Sequence, residues 1–336
     1  MATDRLSELV EAADLNALLR AVDGLCEARR WDDLVELADR CEEAVERGKQ
    51  LWPIAAHIDY RLALEAPGEV AASVLRAEVT RFAAGPLTEV AASSHSWSEL
   101  VEHLDGPQVA AYVAQERVLR GEDLTGDERA HPEVLELTHR LEAWEPLYAL
   151  AKFRPAFVEV PEPWAALAPL DDVVPDPAEP SADPELVDAL LDLVQPWVTE
   201  SNGAARAVTV EGDARRAAST LTLGTLRMGP LQPAEAIQRV AWGAASGGAH
   251  GRRRGGAYGR FSAWYLGSLL TGLSWPPDPP ELGEALGRLR WYRWDEGQPE
   301  KGWVLRLAVE DPADGWAAAL AATDLLLEGD DEDAPA

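Results

Sequence analysis

Sulfur and long apolar runs are both scarce in this sequence of 336 residues. It contains only two cysteines, Cys26 and Cys41. Two isolated cysteines form neither a disulfide framework nor a zinc-binding set, so we interpret both as small buried side chains in a reducing compartment. No run of about 18 apolar residues occurs, and we therefore expect no membrane-spanning helix.

A secretory signal is also missing from the N-terminus. Residues 1–5 are polar and lead directly into an amphipathic pattern, whereas a signal peptide needs a basic end followed by an apolar run. We therefore expect a cytoplasmic protein with no membrane partner.

Positive charge is scarce in most of the chain. The formal net charge is −29, with residues 1–200 carrying −25 and residues 311–336 carrying −8, whereas residues 201–310 carry +4. An acidic surface repels nucleic acids and anionic membranes. A nucleic-acid partner is therefore not expected, and any anionic ligand should bind the second half of the chain.

Residues 5–152 have apolar side chains at helical spacing, which predicts helices throughout. Trp31, Trp97 and Trp144 each precede polar or acidic residues and then an apolar stripe, which predicts a tryptophan at three helix entrances. The intervals are unequal, so this half resembles irregular helical-repeat proteins of the HEAT and tetratricopeptide kind without matching either consensus. Stacked helical hairpins and a plain bundle both remain open.

Composition divides the chain into four predicted regions. A helical domain over 1–154 precedes a proline-rich acidic linker or strap over 155–184. Proline breaks helices and sheet ladders, so this segment should be extended, with residues 171–184 mobile. An α+β domain over 185–327 and a disordered acidic tail over 328–336 complete the chain.

Local signals predict the elements of the α+β domain. A strand is expected at 207–210, helices at 214–226 and 233–245, and an apolar helix from about residue 258. Alternating side chains predict a hairpin of strands 288–294 and 303–309, followed by a last helix over 314–327. The predicted fold class is mainly α, with a helical N-terminal domain and a C-terminal α+β domain containing a small antiparallel sheet.

One segment, from Ala236 to Pro277, has no acidic residue, and its centre is the loop 246–260, SGGAHGRRRGGAYGR. Glycines such as Gly251 and Gly255 let a backbone approach a ligand closely. The loop ends where a helix begins, so unpaired N–H groups point into it. Four arginines add guanidinium groups that suit phosphate or carboxylate: Arg252, Arg253, Arg254 and Arg260.

These features predict that residues 247–260 bind a small anion or a nucleotide. The phosphate-loop signature, which requires a strand and then Gly-Lys-Ser/Thr, is missing, and no G-x-G-x-x-G register can be drawn. Two alternatives remain open: the arginines pair with the acidic first half of the chain, or the loop is simply solvated.

His250, Glu211 and Asp213 are the candidate acid–base residues. Positive neighbours favour a neutral imidazole at His250, and the two carboxylates follow the predicted strand 207–210. Asp213 is equally explained as a helix cap. An enzyme should show a deep pocket that joins the loop 247–260 to Glu211 or Asp213.

Seven of the thirteen tryptophans lie between residues 242 and 316, interleaved with arginines. Tyr292 and Trp294, with Arg288 and Arg290, would make a face on which bases stack. A tryptophan-rich core explains the same pattern. No histidine spacing fits a metal site, and no cofactor is expected.

The segment AASGGAHGRRRGGAYGRFSAW (244–264) resembles an uncharacterised bacterial protein family of unknown function. The segment from Trp144 to Pro163 is part of the same resemblance. The resemblance implies that both segments belong to one structural unit, and it implies no activity and no catalytic residue.

The sequence thus favours a non-catalytic binding or regulatory protein. Its helical half would contact a protein partner, and the loop 247–260 would contact an anion or an acidic surface of that partner. The alternative is an enzyme that acts on a phosphorylated or nucleotide substrate held by the same loop.

Overall fold

The computed structural model of the protein describes residues 2–76, 85–162, 169–222, 224–297 and 301–325. The predicted tail 328–336 lies outside these residues. None of the described helices combines the length and apolarity that a membrane crossing requires.

The chain forms two compact units. One comprises Met1–Leu135 with Ala151–Val160, and the other comprises Glu136–Leu150 with Pro161–Ala336. The contacts therefore group residues 136–150 with the second unit, whereas residues 151–160 group with the first. The segment from Trp144 to Pro163 is thus divided between the units, although the family resemblance implied that it belongs to one unit with residues 244–264. The domain limits drawn from composition stay predictions.

The first unit is helical. Its helices are α1 (Ala2–Ala12), α2 (Leu15–Glu27), α3 (Trp31–Glu46), α4 (Trp52–Glu65), α5 (Gly68–Ser73), α6 (Leu87–Ser94), α7 (Trp97–Leu100), α8 (Pro107–Leu119) and α9 (Pro132–Leu135). Two 3-10 turns, Val101–His103 and Glu128–Ala130, and a two-stranded ladder of β1 (Lys152–Phe153) and β2 (Val158–Glu159) complete it.

Local signals set several of these helix starts. Asp14 accepts a hydrogen bond from the Ala17 amide, and Ser96 with Glu99 forms a capping box at α7. Trp31 and Trp97 begin helices as predicted, whereas Trp144 lies in a turn. The prediction of helices throughout 5–152 is wrong over 136–151, where none forms.

The second unit mixes helices with a six-stranded sheet, which confirms the predicted fold class. Its elements are β3 (Asp171–Val173), α10 (Pro184–Asp192), α11 (Gln195–Thr199), β4 (Ala204–Glu211), α12 (Ala214–Leu221), β5 (Leu226–Leu231), α13 (Pro233–Ala245), α14 (Gly256–Thr271), α15 (Pro279–Arg288), β6 (Arg290–Asp295), β7 (Trp303–Asp311) and β8 (Trp316–Asp324). The sheet is antiparallel, in the order β3-β5-β6-β7-β8-β4.

The predicted hairpin exists, with Arg290 opposite Glu310 in the β6–β7 ladder. The helix predicted over 314–327 is wrong, because Trp316–Asp324 is the strand β8. Alanine favours helices when only local propensity acts. Here β8 is hydrogen-bonded to β7 and to β4, and its small side chains let α12 pack closely on the sheet. Tertiary pairing therefore outweighs propensity.

The sequence did not indicate β5, which contains Gly229 and Pro230. Proline cannot donate to a ladder and is confined to sheet edges. The short strand β3 pairs only with residues 226–228 of β5. β3 does not extend as far as Pro230, so β5 is an edge strand on that side. On its other side Pro230 lies opposite Tyr292 of β6.

Residues 171–184, which composition predicted to be a mobile part of the linker or strap, make hydrogen bonds along the second unit. Beyond β3, the amides of Asp176 and Ala178 donate to hydroxyls of α12, and the Ser181 amide donates to the carbonyl of Thr209. These bonds satisfy the backbone of a proline-rich segment that cannot form its own ladder.

Helix packing in the second unit requires a glycine in α14. A Cβ at Gly259 would lie 2.3 Å from the Ala241 carbonyl oxygen of α13. We predict that Gly259→Ala lowers the free energy of unfolding by about 1–3 kcal/mol, because a close helix contact must open. Gly287→Ala is the control, since its Cβ meets nothing within 4 Å, and it should be neutral or stabilising by up to about 1 kcal/mol. Denaturant unfolding measures both, and equal changes would refute the packing argument.

In the first unit, Asp59 of α4 gives a pH-dependent prediction. Burial, then the nearby Glu42 and Asp39 carboxylates, raise the pKa of Asp59 to about 6, against the opposing charge of Arg76. Since the folded pKa exceeds the unfolded one, this carboxyl contributes a stability that is present at low pH and is lost as pH rises from about 4 through 6.

Asp59→Asn should therefore raise the free energy of unfolding at pH 8 by roughly 2–3 kcal/mol, and the gain should fade below about pH 4. Unfolding curves across this range test the prediction. The exposed Asp32→Asn controls for the loss of one negative charge. A gain at Asp59 that is independent of pH would contradict it.

Candidate functional sites

Residues 247–255 of the predicted loop 247–260 connect α13 to α14 and fold back on themselves, whereas residues 256–260 begin α14. A Cβ at Gly251 would lie 2.3 Å from the Gly247 carbonyl oxygen, so the two backbone segments meet where no side chain fits. Gly255 caps α14 at the N-terminal end with φ of +93°, a conformation that glycine adopts without strain. Both glycines thus have structural reasons for their position.

Asp324, at the end of β8, holds the loop in place. Its buried carboxylate accepts hydrogen bonds from the Ala249 amide at 2.6 Å and from the Ser201 hydroxyl at 3.0 Å. The same Ser201 hydroxyl accepts from the His250 amide at 3.2 Å. The backbone of the loop is therefore tied to the end of the sheet where β8 finishes.

Arg252 pairs with Glu200 by two parallel hydrogen bonds. Its Nε lies 3.0 Å from Oε2 of Glu200 and its terminal nitrogen lies 2.8 Å from Oε1. The Arg252 amide donates to the same carboxylate at 2.9 Å. Hydrogen bonding to Arg252 holds the pKa of Glu200 below its ordinary value.

Arg254 caps two helices. Its guanidinium donates to the carbonyls of Asp192 and Leu193 at the end of α10 and to that of Ala244 near the end of α13. It also lies 4.3 Å from the centre of the Tyr258 ring. The last carbonyls of a helix lack internal partners and carry partial negative charge, so a cation stabilises them. Arg253, between these two, is buried.

Arg260 of α14 is fully buried and pairs with Glu145, which is also fully buried. Two hydrogen bonds, of 2.8 and 2.6 Å, join the two groups, and the guanidinium also donates to the carbonyls of Thr138 and Arg140. Burial alone would raise the pKa of Glu145, but the bonds from Arg260 outweigh it and hold that pKa below its ordinary value.

The Arg260–Glu145 pair fastens the segment 136–150 to the rest of the second unit. Glu145 also accepts from the Tyr148 hydroxyl and the Trp264 indole. Trp144 packs 5.1 Å from the Trp264 ring and donates to the Pro279 carbonyl. The segment has irregular backbone, and its Thr138 and Arg140 carbonyls accept hydrogen bonds from Arg260 of α14.

The candidate acid–base residues do not meet. Glu211 lies opposite Trp316 at the start of β8, whereas His250 and the loop lie at the Asp324 end, eight residues along a strand that rises about 3.3 Å per residue. They are therefore roughly 25 Å apart. Asp213 caps α12 by accepting from the Arg216 amide at 2.9 Å. The structure does not form the joint pocket expected of an enzyme.

The aromatic residues of the second unit are mostly core. Trp294 is 2% exposed and packs under α12, so it offers no face for base stacking. On the opposite side of the sheet Trp242 stacks on Trp303 at 5.1 Å, with Trp197 against both. In the first unit Cys26 and Cys41 are buried thiols, as predicted, and burial raises the pKa of each to about 11.

Within the described ranges, no group of three or more His, Cys, Asp or Glu is placed to hold a metal ion.

A groove in the first unit was not singled out in the sequence. It lies between α1 and α2 and has a volume of about 620 Å³. Its floor and apolar wall come from Leu6, Leu9, Ala17, Ala21, Gly24 and Ala28. The leucines were visible as a helical stripe, but the sequence could not show that part of this stripe stays uncovered.

The charge around this α1–α2 groove is opposite to that of the surrounding chain. Arg5, Arg20 and Arg30 line it, and no carboxylate does so among the described residues. Arg30 forms an ion pair with Asp33.

We predict that breaking the buried pair Arg260–Glu145 destabilises the second unit more than breaking the exposed pair Arg252–Glu200. Arg260→Met should lower the free energy of unfolding by about 3–5 kcal/mol, because it leaves the Glu145 carboxylate buried without its counter-charge. The matched control is Arg252→Met. Arg252 is 47% exposed and Glu200 is 29% exposed, so this loss should be below about 1 kcal/mol. Denaturant unfolding measures both, and similar losses would contradict the ranking.

Neither a curated protein nor a solved structure is similar enough to the chain to count as a match. A family model described as a family of unknown function matches residues 16–325. This range contains both segments, 144–163 and 244–264, that carried the resemblance, and it confirms the predicted relationship. The chain therefore belongs to this family of unknown function, DUF6183.

Proposed function

We propose that the protein is a non-catalytic, cytoplasmic binding protein whose first unit takes up an acidic amphipathic helix of a protein partner. One observation carries the proposal: the α1–α2 groove is lined by apolar side chains and three arginines, within the first 200 residues, which carry −25. Such a charge inversion selects for an acidic ligand.

The shape of the groove supports a helical ligand. Ala17, Ala21, Gly24 and Ala28 recur along α2 at intervals of four, three and four residues, so they form one stripe of small side chains. A stripe of this kind lets a second helix approach closely. Apolar side chains of the ligand would pack beside Leu6 and Leu9, and its acids would face the arginines.

We propose that the arginines of the loop 247–260 pair with acids of the protein itself. The sequence left this role open as an alternative to anion binding. Glu200 and Glu145 accept from Arg252 and Arg260, and helix carbonyls accept from Arg254. Both glutamates come from the acidic first two hundred residues. The alternative enzyme has less support, since Glu211 and Asp213 lie at the far end of the sheet from this loop.

A labelled peptide tests the proposed function. The probe is an amphipathic helix with leucines at i, i+4 and i+7 and glutamates beside them, and a second peptide replaces every glutamate by lysine. Fluorescence anisotropy with the full chain should show saturable binding of the acidic peptide only, weakened by added salt because exposed charges are screened.

Two groove variants sharpen the test. Arg20→Glu should weaken binding about tenfold or more. Gly24→Leu should abolish it by filling the floor, and the fold should tolerate it, since a Cβ at Gly24 meets nothing within 4 Å. Lys152→Glu, at a side chain that is 60% exposed in the same unit, is the matched control and should bind as the wild type does.

Three outcomes would overturn the proposed function. They are equal binding of both peptides, wild-type affinity in Arg20→Glu, and no binding of either peptide. A chain that dimerises in sedimentation, and that Gly24→Leu makes monomeric, would show instead that a second copy covers the groove.

A further inference from the structure

A second cavity lies in the other unit, on the face of the sheet that α12 covers. The core between α12 and the sheet contains Val208, Val210, Ala317 and Ala319. The helix ends at Leu221, while β4, β7 and β8 continue beyond it. A cavity of about 220 Å³ remains there.

The strand register explains why this space is hollow. Arg206 of β4 and Arg306 of β7 both lie opposite Ala321 of β8. The three residues therefore form one row across three strands, with side chains on one face. Neighbouring strands are about 4.8 Å apart, so the two arginine backbones are separated by about 10 Å with only a methyl group between them.

Contacts from the protein hold both guanidinium groups at the cavity. Arg306 donates to Glu296 at 3.0 Å and lies 5.5 Å from the centre of the Trp294 ring. The other oxygen of Glu296 accepts from the Thr222 hydroxyl at 3.0 Å. Arg206 donates to the Leu221 carbonyl at the end of α12. Side chains held in this way lose less entropy when a ligand binds.

The lining has the composition of an oxyanion site. Two guanidinium groups face one carboxylate, which leaves a net positive charge, and the Thr323 hydroxyl adds a further hydrogen-bonding group. Guanidinium forks match the geometry of carboxylate and phosphate oxygens. The segment 201–310, which contributes both arginines, is also the part of the chain with net charge +4.

We propose that this cavity binds a small organic molecule through its carboxylate or phosphate group, held between Arg206 and Arg306. The volume is below the roughly 300–1,000 Å³ of sites for drug-sized ligands. A metabolite of a few carbon atoms fits this size better than a nucleotide does. The site is independent of the α1–α2 groove, so either proposal can fail alone.

Titrations with inorganic phosphate and with succinate test the site and separate the two oxyanions. Thermal shift and the indole NMR resonance of Trp294 should both respond, with saturation, to at least one probe. The probe that binds more tightly identifies the group. Two variants should lose the response: Arg206→Gln, with at least tenfold weaker binding, and Ala321→Leu, which fills the cavity without a change of charge.

Arg290→Gln is the matched control. This arginine is 63% exposed on β6 and pairs with Glu310, at the end of the sheet remote from the cavity, and its loss should leave affinity unchanged. If Arg206→Gln and Arg290→Gln weakened probe binding equally, the attraction would be non-specific and electrostatic, and the proposal would be overturned. So would wild-type binding by Ala321→Leu, or no response to either probe at millimolar concentration.

Discussion

The guanidinium of Arg260 is fully buried, and a buried charge is stable only when a counter-charge and hydrogen-bond partners contact it directly. Glu145 supplies the counter-charge, and the carbonyls of Thr138 and Arg140 take further donors. This requirement draws residues 136–150 out of the helical pattern and into the second unit. The tilted packing of the Trp144 ring against the Trp264 ring, and the contact of Trp144 with α15, follow from the same docking.

The same electrostatic logic accounts for a basic loop in a chain of net charge −29. Arg252 meets Glu200, Arg254 meets the carbonyl ends of α10 and α13, and Asp324 accepts from the Ala249 amide. The glycines allow the backbone to approach these partners and itself. The acids that neutralise the loop therefore lie elsewhere in the sequence, and the fold brings them to it. The loop contacts β8, α10, α11 and α13 at one place.

Sequence reasoning succeeded where the signal is local, as at the Asp213 cap and the β6–β7 hairpin. It failed at β8 because alanine-rich strands look helical until the sheet partners on both sides are known. It identified Arg260 as chemically important but could not find its partner, which lies 115 residues away. The leucines of the α1–α2 groove were predicted as apolar, yet their exposure depends on packing that no local pattern records.

The two proposed ligand sites therefore lie outside this loop: the apolar α1–α2 groove in one unit and the small cationic cavity in the other. Hydrogen exchange of the loop amides distinguishes a loop that belongs to the framework from a loop that binds an anion. The amides of Ala249, Arg252 and Arg254 donate to Asp324, Glu200 and the Ala245 carbonyl, so they should exchange slowly in the ligand-free protein and should not change when phosphate is added. Fast exchange that slows only on addition of phosphate would show instead that the loop is an anion site.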